Sequence, residues 1–297
     1  MSDPHSAPVF ARYVALGDSQ SEGVGDGDDR TGVIGLADRL AASMARAYPS
    51  LLYANLAVRG KLASQIRHDQ LDAAVALRPD VATVIAGMND LLRPDFDADA
   101  VGRHLEAMFE ALTAHGATVA TLTFPDITRI TPLARPIAAR TVALNAVIRE
   151  AAARHGVVVA ETCDHAVVTD PRLWSPDRLH ASPLGHQRIA DALAQALHLP
   201  GSDDSWTTPL SPPLPQQHPV AQVGTESRWL ATFLGPWLLR RLTGRSSGDG
   251  RVAKRPELAR FEERTGSLYN ANTTPTAAAT STNSTATTTA ATPVGGE

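Results

Sequence analysis

Short apolar runs alternate with longer amphipathic stretches between residues 12 and 199. The apolar runs have the length and composition of strands, and they are Tyr13–Leu16, Leu51–Leu56, Val81–Ala86, Thr118–Phe124 and Val157–Ala160. The stretches with helical periodicity are Val33–Tyr48, Leu62–Leu77, Ala98–His115, Ala134–His155 and Pro183–Leu197. Nearly continuous apolar strands that alternate with helices are typical of a parallel sheet covered on both faces. The pattern therefore predicts an α/β fold with a five-stranded parallel sheet, in one domain over residues 10–200.

The pattern changes after residue 200. Residues 201–224 are rich in Pro, Ser, Asp and Gln, which predicts a linker or an extended surface segment. Residues 225–265 carry Trp and Leu at helical spacing, are interrupted by Gly235-Pro236, and contain more basic than acidic residues. They predict a short, basic, helical appendage. Residues 266–297 are mostly Thr, Ala, Ser and Asn, and we expect them to be disordered.

Three roles suit the appendage of residues 225–265. Its Trp and Leu side chains could pack back onto the main domain, cover a substrate groove as a lid, or rest on an anionic membrane surface through residues 225–245. We expect the first role, because an apolar patch of this size promotes aggregation when it is exposed. Membrane contact is not the favoured role.

The composition narrows the setting of the protein. The net charge of −4 gives no case for a nucleic-acid partner. The single cysteine, Cys163, excludes an intramolecular disulfide and fits a reducing compartment, and we expect its side chain to be a small buried hydrophobe. Residues 1–12 lack the basic-then-apolar pattern of a signal peptide. We therefore expect a cytoplasmic protein; the pattern does not predict an oligomeric state.

Chemically capable residues follow the predicted strands, at the sheet edge where α/β proteins bind ligands. Ser19 stands at a bend from strand to helix, where a hydroxyl is accessible and helix N–H groups are unpaired, so it is the predicted nucleophile. His180 is the predicted base, because an imidazole can take and return a proton near neutral pH. Asp177 comes three residues earlier and can orient that ring. The predicted oxyanion donors are the backbone N–H groups of Ser19 and Gly60 and the side-chain amide of Asn89.

Neighbouring residues offer weaker alternatives. His186 is a rival base, but it lies inside the last helical pattern and no carboxylate precedes it by three residues. The acidic run Gly25–Asp29 lacks the ligand spacing of a calcium loop, so we expect a solvated loop there. We expect Asp18 and Asp90 to support their turns. Gly23-x-Gly25 is not a dinucleotide-binding fingerprint. We therefore expect neither a metal nor a cofactor.

The same residues form an ordered set of motifs. Gly17-Asp18-Ser19, Gly60, Gly87-x-Asn89-Asp90 and Asp177-x-x-His180 resemble, in order, the four sequence blocks of the SGNH (GDSL-type) hydrolases, over roughly residues 10–200. The resemblance implies a flavodoxin-like, three-layer α/β/α fold. It also implies metal-independent hydrolysis of carboxylic esters, a small-molecule substrate, and the catalytic roles given above. Gln20 departs from the aliphatic residue of many members, and we expect it to alter the pocket floor.

Other functions remain open at this point. A general α/β-hydrolase is disfavoured, because the residues around Ser19 lack the second glycine of the Gly-x-Ser-x-Gly elbow. A non-catalytic, flavodoxin-like ligand-binding module could retain the same pocket. Within the enzymes, a lysophospholipase, a thioesterase and a carbohydrate deacetylase would all use the same groups.

Overall fold

A computed structural model describes residues 10–214, 228–234 and 247–262 of the chain. Within these residues, six strands form a central sheet in the order β7-β6-β5-β1-β4-β8. Their bounds are β1 Arg12–Gly17, β4 Leu52–Asn55, β5 Val81–Ile85, β6 Thr118–Leu122, β7 Val158–Ala160 and β8 Arg255–Arg260. The strands β2, Gly27–Asp28, and β3, Gly32–Val33, form a separate antiparallel ribbon.

The five predicted strands are confirmed as β1, β4, β5, β6 and β7, and they pair with one another in parallel. The sheet has one strand more than predicted, because β8 adds an antiparallel edge strand against β4, with Leu52 opposite Arg260. This sixth strand lies in the segment predicted as a helical appendage. Its sequence has no apolar run, and charged residues and proline are common on edge strands.

The longer helices match the predicted ones to within a few residues. The helices are α1 Ser19–Glu22, α2 Gly35–Ala47, α3 Ala63–Ala76, α4 Met88–Leu91, α5 Ala98–Ala114, α6 Ile127–Ile130, α7 Ala138–His155 and α8 Pro183–Ala196. α7 starts later than predicted because Pro136 cannot continue an α-helix, so Pro132–Ile137 forms a 3-10 helix instead. Further short turns of 3-10 helix span Thr162–Asp164, Ala166–Thr169, Pro171–Leu173 and Ser205–Thr207, and a π-helical turn spans Leu230–Leu234.

The helices form two layers around the sheet. α2 packs against α8, while α5 packs between α3 and α7. From β1 the chain crosses to β4 on one side and then returns to β5 on the other side of β1. Right-handed crossovers in opposite directions place their helices on opposite faces, which gives the expected three-layer α/β/α fold. The reversal also opens a crevice at the carboxyl ends of β1 and β5.

The described part of the chain beyond residue 200 packs against the main domain. Trp206 is buried and its indole N–H donates to Gln195 in α8 at 2.6 Å. Lys254 is partly buried beside β3 and α2, where its ammonium group donates to three backbone carbonyls and to Asp38. The first role expected for the appendage concerns its Trp and Leu side chains, and it stays a prediction. Within the described residues, no helix has the length and hydropathy needed to cross a membrane.

Several sequence-based expectations fall outside the described residues. They concern most of the apolar stripe of the appendage, including Trp237 and Leu242, and the Thr- and Ala-rich residues 266–297.

His186 in α8 is fully buried and ties α8 to the loops around α2. Its Nδ1 accepts a hydrogen bond from the Leu36 N–H at 3.1 Å, and its Nε2–H donates to the Val24 carbonyl at 3.0 Å. The bond from Leu36 needs the neutral ring, because a protonated Nδ1 cannot accept it. Burial lowers the pKa of His186 to about 4 from the usual 6.5. The unfolded chain therefore binds this proton more readily than the folded protein does.

We expect His186 to make the protein less stable in acid. Because its folded-state pKa is lowered, its contribution to the free energy of unfolding is complete above about pH 6.5 and is lost as the pH falls toward about 4. Urea unfolding should show a loss on the order of 2 kcal/mol between about pH 7.5 and about pH 4.5 that His186→Gln does not show, since glutamine cannot be protonated. An equal pH dependence in the two proteins would contradict this role.

Candidate active site

The turn that carries Ser19 is held from several sides. β1 ends at Gly17, and a Cβ atom added to Gly17 would lie 2.7 Å from the Ile85 carbonyl oxygen, so only glycine fits. The buried Gln70 side chain of α3 accepts from the Gly17 N–H and donates to the Gly17 carbonyl, each at 2.9 Å. Asn55 donates to the Ser21 carbonyl at 2.8 Å. Ser19 therefore begins α1 on a turn whose backbone has little freedom.

Asp18 supports this turn, as expected, and also links it to Asn89. One carboxylate oxygen accepts from the Gln20 N–H at 3.2 Å, and the other accepts from the Asn89 side-chain amide at 2.9 Å. Burial raises the pKa of Asp18 to about 6, although these bonds and the charge of His180 favour the carboxylate. Asp18 thus connects the loops that follow β1 and β5.

The predicted acid and base form a direct pair. Asp177 Oδ2 lies 2.7 Å from His180 Nδ1, and Asp177 Oδ1 accepts from Ser175 Oγ at 2.6 Å and from the Leu179 and His180 N–H groups at 2.9 and 3.1 Å. Burial opposes ionisation, but the hydrogen bond and charge of His180, with the other donors, hold the pKa of Asp177 well below its usual range. An anionic Asp177 favours the proton on Nδ1 and leaves His180 Nε2 free to accept one.

Gln20 brings this pair next to the Ser19 turn. Its side-chain amide donates to the Leu179 carbonyl at 3.0 Å and accepts from the Ala181 N–H at 3.4 Å. The residue after Ser19 therefore binds the residues on both sides of His180. Among the described contacts, no hydrogen bond joins Ser19 Oγ to the His180 ring.

The predicted oxyanion donors also lie close together. Gly60 follows β4 with φ +78°, a conformation that favours glycine, and Asn89 follows β5 in α4. The Asn89 amide donates to the Lys61 carbonyl at 3.2 Å as well as to Asp18, so it contacts both the Gly60 loop and the Ser19 turn. Asp90 accepts from the Ala63 N–H at 3.0 Å, which ties its loop to the start of α3.

The structure excludes the rival base. Both ring nitrogens of His186 are hydrogen-bonded inside the protein, away from solvent. Two carboxylates of the acidic run pair with arginines: Asp26 pairs with Arg39 at 2.8 Å, and Asp29 pairs with Arg59 and Arg251 at 3.0 and 2.6 Å.

The expectation for Cys163 is wrong. Its side chain is only partly buried and lies among polar groups, 3.1 Å from an Arg149 nitrogen. Among the described residues, Glu161, Cys163 and Asp164 are the group whose atoms lie close enough together to hold a metal ion. Arg149 already pairs with both of these carboxylates, so its positive charge stands where a cation would bind.

Sequence reasoning missed the residues that hold the site. Gln70 had a detectable signal, since it is a polar residue on the buried stripe of α3 that also contains Ala63, Ile66 and Ala74. For Gln20, the departure from an aliphatic residue was visible, but its hydrogen bonds to the His180 loop were not. The two loops are about 160 residues apart in sequence, and only the folded structure brings them together.

The chain is similar to the proteins of one known family. Residues 15–188 match the GDSL-like lipase/acylhydrolase family. No functionally curated protein matches the chain significantly.

Several solved structures share the fold. An α/β-hydrolase enzyme from the metagenome of Lake Arreo has 21% sequence identity and a TM-score of 0.53, and the match covers 63% of this chain and 95% of that one. An acetylxylan esterase from Geobacillus stearothermophilus has 16% identity and a TM-score of 0.54, with 65% and 97% covered. A lipase/acylhydrolase from Enterococcus faecalis has 21% identity and a TM-score of 0.50, with 62% and 94% covered.

The matched residues run from β1 into α8 and include all the predicted site residues. The chain therefore belongs to the GDSL-like lipase/acylhydrolase family and is a hydrolase of the SGNH type.

Proposed function

We propose that the protein hydrolyses carboxylic esters through an acyl-enzyme intermediate on Ser19. The observation that carries the proposal is the Asp177–His180 pair, with its low-pKa carboxylate, held beside the Ser19 turn by Gln20. A serine needs a base to remove its proton, and the base needs a partner that stabilises the imidazolium. These groups supply both.

The proposed reaction has two halves. In the first, Ser19 Oγ attacks the ester carbonyl while His180 Nε2 takes the hydroxyl proton, and the same proton then passes to the departing alcohol. In the second, His180 takes a proton from water as its oxygen attacks the acyl-enzyme. The carboxylic acid leaves and Ser19 regains its proton. Asp177 stays ionised throughout and stabilises the imidazolium formed in each half.

The negative charge on the carbonyl oxygen needs donors of its own. We propose the backbone N–H groups of Ser19 and Gly60 and the side-chain amide of Asn89 for this role. Of the two side-chain amide bonds of Asn89 described above, the substrate oxygen would replace the longer one, at 3.2 Å to the Lys61 carbonyl. The bond to Asp18 would then keep the amide oriented.

We propose a small ester as the substrate, and the mechanism does not specify its acyl or alcohol group. The solved relatives include proteins described as an acetylxylan esterase and a lipase/acylhydrolase. Sugar esters, lysophospholipids, thioesters and simple esters could all be hydrolysed by the same nucleophile, base, acid and oxyanion donors. Hydrolysis rates over a panel of acyl lengths and leaving groups would distinguish these substrates. A non-catalytic binding module would hydrolyse none of them.

Ser19→Ala should abolish hydrolysis of a short p-nitrophenyl ester and labelling by a fluorophosphonate probe, because both need the Ser19 hydroxyl. Ser21→Ala is the matched control, since Ser21 lies in the same turn and its hydroxyl donates to the Leu16 carbonyl at 3.3 Å. It should retain labelling. Turnover of Ser19→Ala at the wild-type rate would refute the proposed nucleophile.

Asn89→Ala should lower kcat by roughly 100- to 1,000-fold, because the developing oxyanion loses a donor. Steady-state kinetics on the same ester would measure the effect, and thermal unfolding would check that the loss of the Asp18 contact leaves the protein folded. A variant with a raised KM and an unchanged kcat would show that Asn89 binds the substrate without stabilising the transition state.

A further inference from the structure

Trp229 packs against the loop that carries Asp177 and His180, although it is distant from both residues in sequence. Its side chain is 5% exposed, and its indole N–H donates to the Asp177 backbone carbonyl at 2.9 Å. The Arg178 guanidinium lies 5.3 Å from the centre of the Trp229 ring, within cation–π range. Trp229 lies outside the residues that match the family, which end at 188.

The contact falls on the peptide unit that joins Asp177 to Arg178. The N–H of this unit donates to the Ser175 carbonyl at 2.9 Å, and its carbonyl accepts from Trp229. Arg178 follows with φ +57°, a conformation that non-glycine residues adopt rarely. The peptide unit is therefore held by hydrogen bonds at both its N–H and its carbonyl, next to a residue with an unfavourable φ angle.

The orientation of this peptide unit affects the Asp177 side chain. The Asp177 carboxylate accepts from the two N–H groups that come after Arg178, those of Leu179 and His180, and from the His180 ring. A rotation of the peptide between Asp177 and Arg178 would move these donors relative to the carboxylate. The Trp229 hydrogen bond opposes that rotation.

We propose that Trp229 is a positioning residue, which holds the Asp177–Arg178 peptide unit so that the Asp177 carboxylate stays aligned with His180 Nδ1. The proposal rests on the proposed function, since it gives Asp177 and His180 their catalytic roles. Part of the chain beyond residue 200 thus completes the active site without touching the substrate.

Trp229→Phe tests this directly in the full-length protein. Phenylalanine keeps an aromatic face for Arg178 and removes the N–H donor. We expect kcat and kcat/KM for a short p-nitrophenyl ester to fall together by about three- to ten-fold, the effect of one neutral hydrogen bond, with KM unchanged. Trp206→Phe is the matched control, because Trp206 is equally buried and donates its indole N–H to Gln195 instead. It should stay within about two-fold of the wild-type kcat.

A double-mutant cycle separates positioning from general destabilisation. If Trp229 acts through Asp177, then Trp229→Phe should have no further effect on the residual activity of Asp177→Asn. A variant that is partly unfolded would instead lose activity by the same factor in both backgrounds. A full loss that persists in the Asp177→Asn background would overturn the proposal, as would a wild-type kcat in Trp229→Phe or a change confined to KM.

Ser19→Ala belongs in the same series, because it separates this proposal from the proposed function. Activity in Ser19→Ala would reject the serine mechanism. An inactive Ser19→Ala together with a fully active Trp229→Phe would reject the positioning role of Trp229 alone.

Discussion

The reversal of strand order beside β1 determines where all the predicted catalytic groups lie. Because β4 and β5 flank β1 in parallel, the loops after these three strands meet at one edge of the sheet. Ser19, Gly60 and Asn89 follow those strands. The long connection between β7 and α8 brings Asp177 and His180 to the same edge. The fold thus gathers five residues that span about 160 positions of sequence, and hydrogen bonds between loops set their final orientation.

Those hydrogen bonds depend on polar side chains that are buried at a cost. Asp18, Glu22, Asp26 and Arg39 are all less than 10% exposed. Glu22 pairs with Arg59 at 2.6 Å, and Arg59 directly precedes Gly60. Lys254 donates to the backbone carbonyl of Glu22. Buried ion pairs add little net stability, because desolvation offsets most of the attraction. Their effect here is to tie the loops around Ser19 and Gly60 to one arrangement, which suits a site that needs preorganised donors.

The sequence predicted the regular part of the fold well, because that part depends on periodicity. The runs in β1 and β5 are almost wholly apolar, and helices α2 and α5 have clear amphipathic patterns. Strand β8 was missed because an exposed edge strand with arginine and proline has no apolar signature. The start of α7 was misplaced because the apolar pattern continues through Pro136 while the backbone hydrogen bonding does not.

The candidate site also has a part that local sequence patterns predict and a part that they do not. Short motifs predicted Ser19, Asn89, Asp177 and His180. Ser19 and Asn89 lie within a few residues of a strand end, and Asp177 and His180 lie just before α8. The side chains that orient them act across long sequence separations. Gln70 binds Gly17, Gln20 binds the loop around His180, and Trp229 binds the Asp177 carbonyl. No local pattern records such contacts, because they depend on packing between distant elements.

We propose that Ser19 carries the acyl group during turnover. Acid quenching of the reaction with p-nitrophenyl acetate, followed by proteolysis and mass spectrometry, would locate that group. We expect an acetyl group on the peptide that contains Ser19, formed within the first turnover and removed as hydrolysis proceeds. Continued hydrolysis with no acetylated Ser19, or with the acetyl group on another residue, would contradict the claim.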